Sequence, residues 1–392
     1  MDPQSLTLEQ PAHIIVFRDV TPENADVLAS ILEAVPLPGA DAGAQSINRT
    51  ILSAANGTHA RIYLQLGVAV ATLTPHQIWQ LRVLGNIITV APNEERSIPE
   101  RQVFEGTDLP AEGTFHQIGL NPHTSELTGN GVRVAVLDTG VDLQHPDLNI
   151  LPGNTISYVP GEPDVQDQNG HGTHCAGIIA GSATPAGGIR YGVAPEATLL
   201  IAKVLNRKGT GTDAEIVDAI NWAANLGAEI ISMSLGSPRT PGSSFSARYE
   251  TIASRLLDRG ILLVAAAGND SARPHYVRPV RNPAACPSIM GVAAVDHHDR
   301  IAAFSNPTMD AIGVVDIAAP GVGVLSAWPG ATVQRSSGTS MATPHVAGVA
   351  ALYVEQNPAN TGRTLWKLLT ERARTVAALS ADDVGTGIVQ AP

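Results

Sequence analysis

The first apolar run, His13-Ile-Ile-Val-Phe17, reads as a strand within residues 12–20. Thr21-Pro22 then places a capping hydroxyl and a first-turn proline ahead of Val27, Leu28, Ile31 and Leu32, the spacing of an amphipathic helix. Strands over 46–52 and 60–66 lead into Gly67-Val-Ala-Val-Ala71. Thr74-Pro75-His76-Gln77 offers a capping box before Ile78, Leu81 and Leu84, and a strand over 86–91 closes the pattern. The order βαββαβ predicts a small α+β domain at 11–100, behind a tail at 1–10. Charged residues and Gly/Pro punctuation over 96–113 make this the best linker, set at 101–115 with a processing site inside it.

Beyond Gly129 the period changes. Apolar runs at 132–137, 198–204, 230–233, 261–266 and 289–295 alternate with helical stretches at 174–180, 214–225, 249–257 and 343–354. Strands apolar on both faces, alternating with helices, predict an α/β fold with a doubly wound, mostly parallel sheet over 116–392. Catalytic groups then belong on loops at the carboxyl ends of the strands.

Composition narrows the function. Twenty-four basic against 36 acidic residues give a net charge of −12, the wrong sign for binding nucleic acid or an anionic membrane. The longest nearly apolar stretch, 260–268, is about half of what a membrane-spanning helix needs. Cys175 and Cys286 are too few for a disulfide framework and lack the ligand cluster of a zinc site, so both read as buried free thiols. Residues 1–10 have neither the basic start nor the apolar run of a secretory signal. The chain as written is therefore expected in the cytoplasm, with an extracellular location as the alternative.

Four segments carry polar groups at the tips of apolar elements. Val134-Ala-Val-Leu-Asp138-Thr-Gly ends a buried strand on a carboxylate, which alone suits a helix cap as well as catalysis. Asn169-Gly-His171-Gly-Thr-His174-Cys175-Ala-Gly177 offers a proton acceptor at a helix start; two histidines three apart also suit a metal, but the adjacent Glu of the zinc-helix pattern is missing. Leu263-Val-Ala-Ala-Ala-Gly268-Asn269 ends a strand on an amide, ordinarily a turn residue but able to donate to an oxyanion. Ser337-Gly338-Thr-Ser340-Met-Ala-Thr-Pro344-His345-Val-Ala-Gly348 sets a serine at a helix start, with Pro344 expected early in that helix.

Taken together, the four segments resemble the subtilisin-like serine protease family, closest to its proteinase K and bacterial subtilisin branches, in residue type, local sequence and chain order. The resemblance runs from about His116 to Pro392. It implies that Ser340 is the nucleophile, His171 the general base and acid, Asp138 the group that orients the imidazole, and Asn269 an oxyanion donor. His174 and His345 fall outside the triad. Gly209, Thr210 and Gly211, after Lys208, resemble one edge for extended substrate; Ser234, Leu235 and Gly236 resemble the opposite rim. Ala266, Ala267 and Gly268 would wall the first specificity pocket, with Asp270 and Arg281 near it.

No catalytic cofactor is implied. Asp316 and Asp147 match positions where relatives bind a structural calcium or sodium ion, with carbonyls near Ala284 and Cys286 for Asp316; the loop 182–191 beside Asp147 has a different length and no Asn or Asp. The N-terminal domain resembles the family's propeptide, most visibly at Gly67-Val-Ala-Val-Ala-Thr-Leu-Thr74 and Val90-Ala-Pro-Asn93. The expected protein is a monomeric serine endopeptidase of broad specificity on polypeptides, made as a self-processing zymogen with the propeptide as intramolecular chaperone and inhibitor. The alternative is a masked or inactive binding module of the same fold. An esterase elbow, Gly-x-Ser-x-Gly, is absent at Ser340.

Overall fold

The computed structural model describes residues 12–36, 49–54, 59–100, 113–121 and 125–392. The expected tail at 1–10, the linker at 101–112 and the start of the 46–52 strand lie outside them. Six N-terminal strands, β1 (Ala12–Phe17), β2 (Ala34–Pro36), β3 (Arg49–Ala54), β4 (His59–Tyr63), β5 (Val68–Thr72) and β6 (Ile87–Pro92), form an antiparallel sheet in the order β2-β3-β4-β5-β1-β6. Helices α1 (Glu23–Leu32) and α2 (Pro75–Arg82) interrupt them after β1 and β5. This differs from the expected βαββαβ by two strands. β2 is too short to show a period, and the run over 60–71 divides because Leu64–Leu66 tightens into a 3-10 turn and Gly67, at φ +61°, reverses the chain. The capping box at Thr74 does form, Gln77 N–H donating to Thr74 Oγ1 at 3.3 Å and Thr74 N–H to Gln77 Oε1 at 2.9 Å.

Both faces of this sheet are buried. Ile15, Phe17, Ile62 and Ala69 pack under Leu28 and Leu81 of its own helices. On the other face Ile14, Val16, Val68 and Val70 join one apolar cluster with Ile216, Ile220, Ile252 and Leu256 from the following part of the chain. Arg255 ties the seam, donating to the carbonyls of Phe17 at 2.7 Å and Arg18 at 2.9 Å.

After β7 (Glu95–Ser97), strands β8 (Arg133–Asp138), β9 (Thr155–Ser157), β10 (Thr198–Lys203), β12 (Ile230–Met233), β13 (Leu262–Ala266), β14 (Met290–Val295) and β15 (Ile317–Pro320) make a seven-stranded sheet ordered β15-β14-β13-β12-β8-β10-β9. Every pair in it is parallel. β11 (Thr210–Thr212) pairs with β7, and β16 (Val324–Trp328) with β17 (Thr332–Ser336). The helices are α3 (Gly113–Gln117), α4 (His171–Ala180), α5 (Asp213–Asn225), α6 (Ala247–Asp258), α7 (Thr339–Gln356), α8 (Gly362–Arg372) and α9 (Ala381–Val384). Within β8 the pleat sends Val134 and Val136 into the cluster of α4 and α7, and Ala135 and Leu137 into that of α5 and α6. The chain enters the sheet centrally at β8, fills β9 and β10, then crosses back to β12, so the order reverses beside β8 and opens a crevice at its carboxyl end.

Two expectations need correction. Helix α7 begins at Thr339, so Pro344 is its sixth residue rather than an early one. A proline there leaves the carbonyl of Ser340 without its intrahelical donor, and Ser234 Oγ supplies one at 2.9 Å. The end of the expected linker is also structured: Gly113–Gln117 is helical, and Phe115, 1% exposed, sits in the core. No described helix is long and apolar enough to cross a membrane.

Candidate active site

Asp138 is the last residue of β8, at the reversal point, and is 1% exposed. Its carboxylate faces His171 Nδ1 at 2.8 and 2.9 Å and accepts the Thr139 N–H at 2.7 Å. His171 is the first residue of α4. The loop before it is fixed by the buried Asp167, which accepts from the N–H groups of Asn169, Gly170 and Thr173 and from Thr139 Oγ1. Asp167 carried no sequence signal, because its role depends on donors from two segments. Burial lowers the pKa of His171, but the Asp138 carboxylate raises it further, leaving it well above the ordinary value near 6.5. Cys175 Sγ lies 3.9 Å from Nδ1; burial raises its pKa and keeps it a neutral thiol.

Ser340 is the second residue of α7 and is 2% exposed. Its Oγ donates to the carbonyl of Ser234 at 3.4 Å, while His171 Nε2 is buried with no hydrogen-bond partner among the described residues. The Ser340 hydroxyl and the His171 imidazole are thus not joined by a hydrogen bond. Asn269, three residues past β13, is locked by Thr339, whose N–H and Oγ1 both donate to Asn269 Oδ1 at 2.9 and 2.8 Å. With its oxygen so engaged, the side chain must present Nδ2 to the cleft. A Cβ on Gly338, at φ +154°, would lie 2.9 Å from Asn269 Nδ2 and 3.6 Å from Ser340 N, so both N–H groups border the space that only glycine leaves open. His174 and His345 sit apart from this chemistry, His345 Nδ1 pairing with the Met341 carbonyl at 2.8 Å.

The two expected rims flank a strand that the chain itself provides. β7 pairs antiparallel with β11, Arg96 opposite Gly211 and Ser97 opposite Thr210, and the Ile98 N–H donates to the Gly209 carbonyl at 3.0 Å. On the other side Ser97 and Gly236 exchange N–H···O bonds of 3.0 and 2.9 Å. Beyond it, Asn269 Nδ2 donates to the carbonyl of Glu100 at 2.9 Å. Residues 95–100 are therefore held in the crevice, not loose as the start of a linker would be.

Ala266, Ala267 and Gly268 are buried, as a pocket wall requires, and the stem of Arg281 covers Gly268. Arg281 Nε pairs with Asp270 Oδ2 at 2.5 Å, so these two charges cancel one another. At the other candidate positions, Asp147 accepts from Tyr191 Oη at 2.6 Å and the Ala186 N–H at 2.9 Å. Its loop has supplied a phenol and an amide, donors rather than metal ligands. Asp316 differs. Burial pushes its carboxyl up to about 7, relieved only by the Gly291 N–H at 2.7 Å. A Cβ on Gly291 would meet Val314 O at 2.8 Å, Ala284 O at 3.2 Å and Asp316 Oδ2 at 3.5 Å, so three oxygens form a cradle around that position. The Cys286 carbonyl instead accepts the Ile289 N–H. The described ligand-type residues that do cluster, Asp138, His171 and Cys175, are the ion pair and its neighbouring thiol.

The sequence profile described as "Subtilase family" matches residues 129–387. Subtilisin Savinase of Lederbergia lenta is 43% identical over 269 residues, covering 69% of this chain and 92% of that protein. The thermostable alkaline protease of Halalkalibacterium halodurans is 38% identical over 327 residues, 83% of this chain and 82% of that one. An alkaline protease of Shouchella clausii is 43% identical over 269 residues, 65% of its length.

Proposed function

Because this chain belongs to the subtilase family of serine endopeptidases, we propose that Asp138, His171 and Ser340 are its triad and that its first substrate is itself, at the Glu100–Arg101 bond. One observation carries the reading: residues 95–98 run as a strand between both rims, and the next carbonyl to meet a site donor, that of Glu100, accepts from Asn269 at 2.9 Å. Ser340 Oγ attacks that carbonyl carbon while His171 Nε2 takes its proton. The oxyanion is received by Asn269 Nδ2 and the Ser340 N–H at the positive end of α7. The C–N bond breaks as His171 returns the proton to the Arg101 amine, and water then releases Glu100 from the serine. Two backbone-pairing rims hold any extended peptide by its main chain, which supports broad sequence tolerance. The N-terminal sheet, packed on α5 and α6, fits a propeptide that holds the cleft closed until it departs.

Asn269→Ala should lower turnover on casein by roughly 10²–10³-fold, the range known from subtilisin itself, and slow the loss of the N-terminal hundred residues in parallel. Unchanged turnover would remove Asn269 from the oxyanion site. The cradle at Asp316 fits a hard cation, held by that carboxylate with the carbonyls of Ala284 and Val314, where it would relieve a buried charge and brace β14 against β15. Adding calcium or sodium should raise the Tm of the Ser340→Ala chain. An equal rise in Ser340→Ala/Asp316→Ala would assign the effect elsewhere.

A further inference from the structure

Arg96 is 3% exposed although nothing in a propeptide strand requires a buried cation. The pleat of β7 turns it away from the exposed Glu95 and into a pocket floored by α5 and α6. There its Nε lies 2.8 Å from Asp213 Oδ1, and Nη2 donates to Asp213 Oδ2 at 3.1 Å. Its Nη1 donates to Ser237 Oγ at 3.0 Å, and the guanidinium lies 5.8 Å from the centroid of the Tyr249 ring. Asp213 is fully buried, and it also meets Tyr249 Oη at 2.8 Å, Arg248 Nη2 at 3.0 Å and the Glu94 N–H at 3.3 Å. Glu94, half exposed, bridges Arg96 and Arg248 from the solvent side, where an ion pair contributes little.

Asp213, Tyr249, Ser237 and Arg248 stay with the enzyme after residues 95–100 leave, and among them the Asp213 carboxylate and the Ser237 hydroxyl are the acceptors that face the guanidinium. We infer that this pocket is a specificity subsite for arginine, reading the residue of an extended peptide substrate that lies opposite Gly211, four residues before the carbonyl held by Asn269. The inference rests on the proposed reading of residues 95–100 as bound substrate. It adds a preference to a groove that otherwise recognises backbone. An aliphatic side chain in the same slot takes away the guanidinium that faces both oxygens of the buried Asp213 and leaves the carboxylate to Tyr249 and Arg248 alone, a loss that discriminates more strongly than contact area does.

The test compares two internally quenched peptides with the sequence of residues 93–102, one unchanged and one with leucine in place of the arginine at position 96, on enzyme matured from the full chain. Casein hydrolysis is measured on the same samples. The arginine peptide should be cleaved with kcat/KM on the order of a hundredfold higher. In Asp213→Asn, which keeps the shape and removes the charge, the ratio should fall to within about threefold while casein hydrolysis persists. A merely structural role for Asp213 would lower both peptides together and leave the ratio intact, which overturns the assignment. If Asp213→Asn does not fold, the wild-type ratio decides alone, and a value near one overturns it. Casein cleaved but neither peptide cut would show that residues 95–100 do not bind as substrate, sinking this inference and leaving the protease reading standing. Failure on casein as well would sink the proposed function itself.

Discussion

Ser340→Ala is expected to remain at 40.7 kDa while the wild-type chain loses residues 1–100 and yields a product whose first residue is Arg101. Turnover on casein should fall by about 10⁶-fold, a size known from removal of the nucleophile in subtilisin and not one obtained from this geometry. The reason is local. Among the described residues, only Ser340 combines a hydroxyl bracketed by Ser234, the first turn of α7 and the amide of Asn269 held by Thr339, so none of them can replace it. Intact mass over time on both proteins checks the processing, and N-terminal sequencing checks the bond. Should the two chains stay intact and inactive alike, the masked binding module becomes the better account. Cleavage at another bond would keep the protease and remove the register set by Glu100.

Asp138→Asn should cost about 10⁴ in kcat with little change in fold. The carboxylate now accepts from His171 Nδ1 at 2.8 and 2.9 Å, which leaves Nε2 free to take a proton. An amide in its place can turn its NH₂ toward Nδ1, force the ring proton onto Nε2 and leave no base facing Ser340. The same substitution should move the pH profile. Asp138 raises the pKa of His171, so the imidazole is cationic and inactive as a base until pH rises through that value. Activity is therefore lost on acidification and gained toward alkaline pH, with the acid limb of wild-type kcat/KM above 6.5. In Asp138→Asn the residual activity should show its limb shifted downward, since burial alone lowers the pKa of His171. A limb that stays put would mean that the ion pair does not control the base.

Much of the fold was legible because its signals are local. The capping box at Thr74 needs only residues 74–77, and the parallel strands announce themselves as runs apolar on both faces. The misreadings have the opposite character. β2 and β5 exist because a neighbouring strand accepts their backbone, and β9, β15 and the β16–β17 hairpin carried no period strong enough to stand alone. Pro344 was placed too early because its cost in the middle of α7 is offset by a hydroxyl from Ser234, 106 positions before the Ser340 carbonyl that it satisfies.

The sequence by itself determined the candidate groups: an aspartate at a strand end, a histidine and a serine each on a glycine-flanked helix start, and an asparagine on a glycine turn, in one chain order. Residue type and near neighbours suffice for that, since a nucleophile, a base and a donor are properties of side chains. What only the tertiary structure decided is which groups meet. It joined Asp138 to His171 across 33 positions, turned Asn269 outward through Thr339, neutralised Asp270 with Arg281, gave Asp147 to Tyr191 and brought Asp316 Oδ2 beside the carbonyls of Ala284 and Val314. It also buried Arg96 against Asp213, 117 positions away. Distances and desolvation set the strength of such pairs, and both come from packing between segments that no local pattern records.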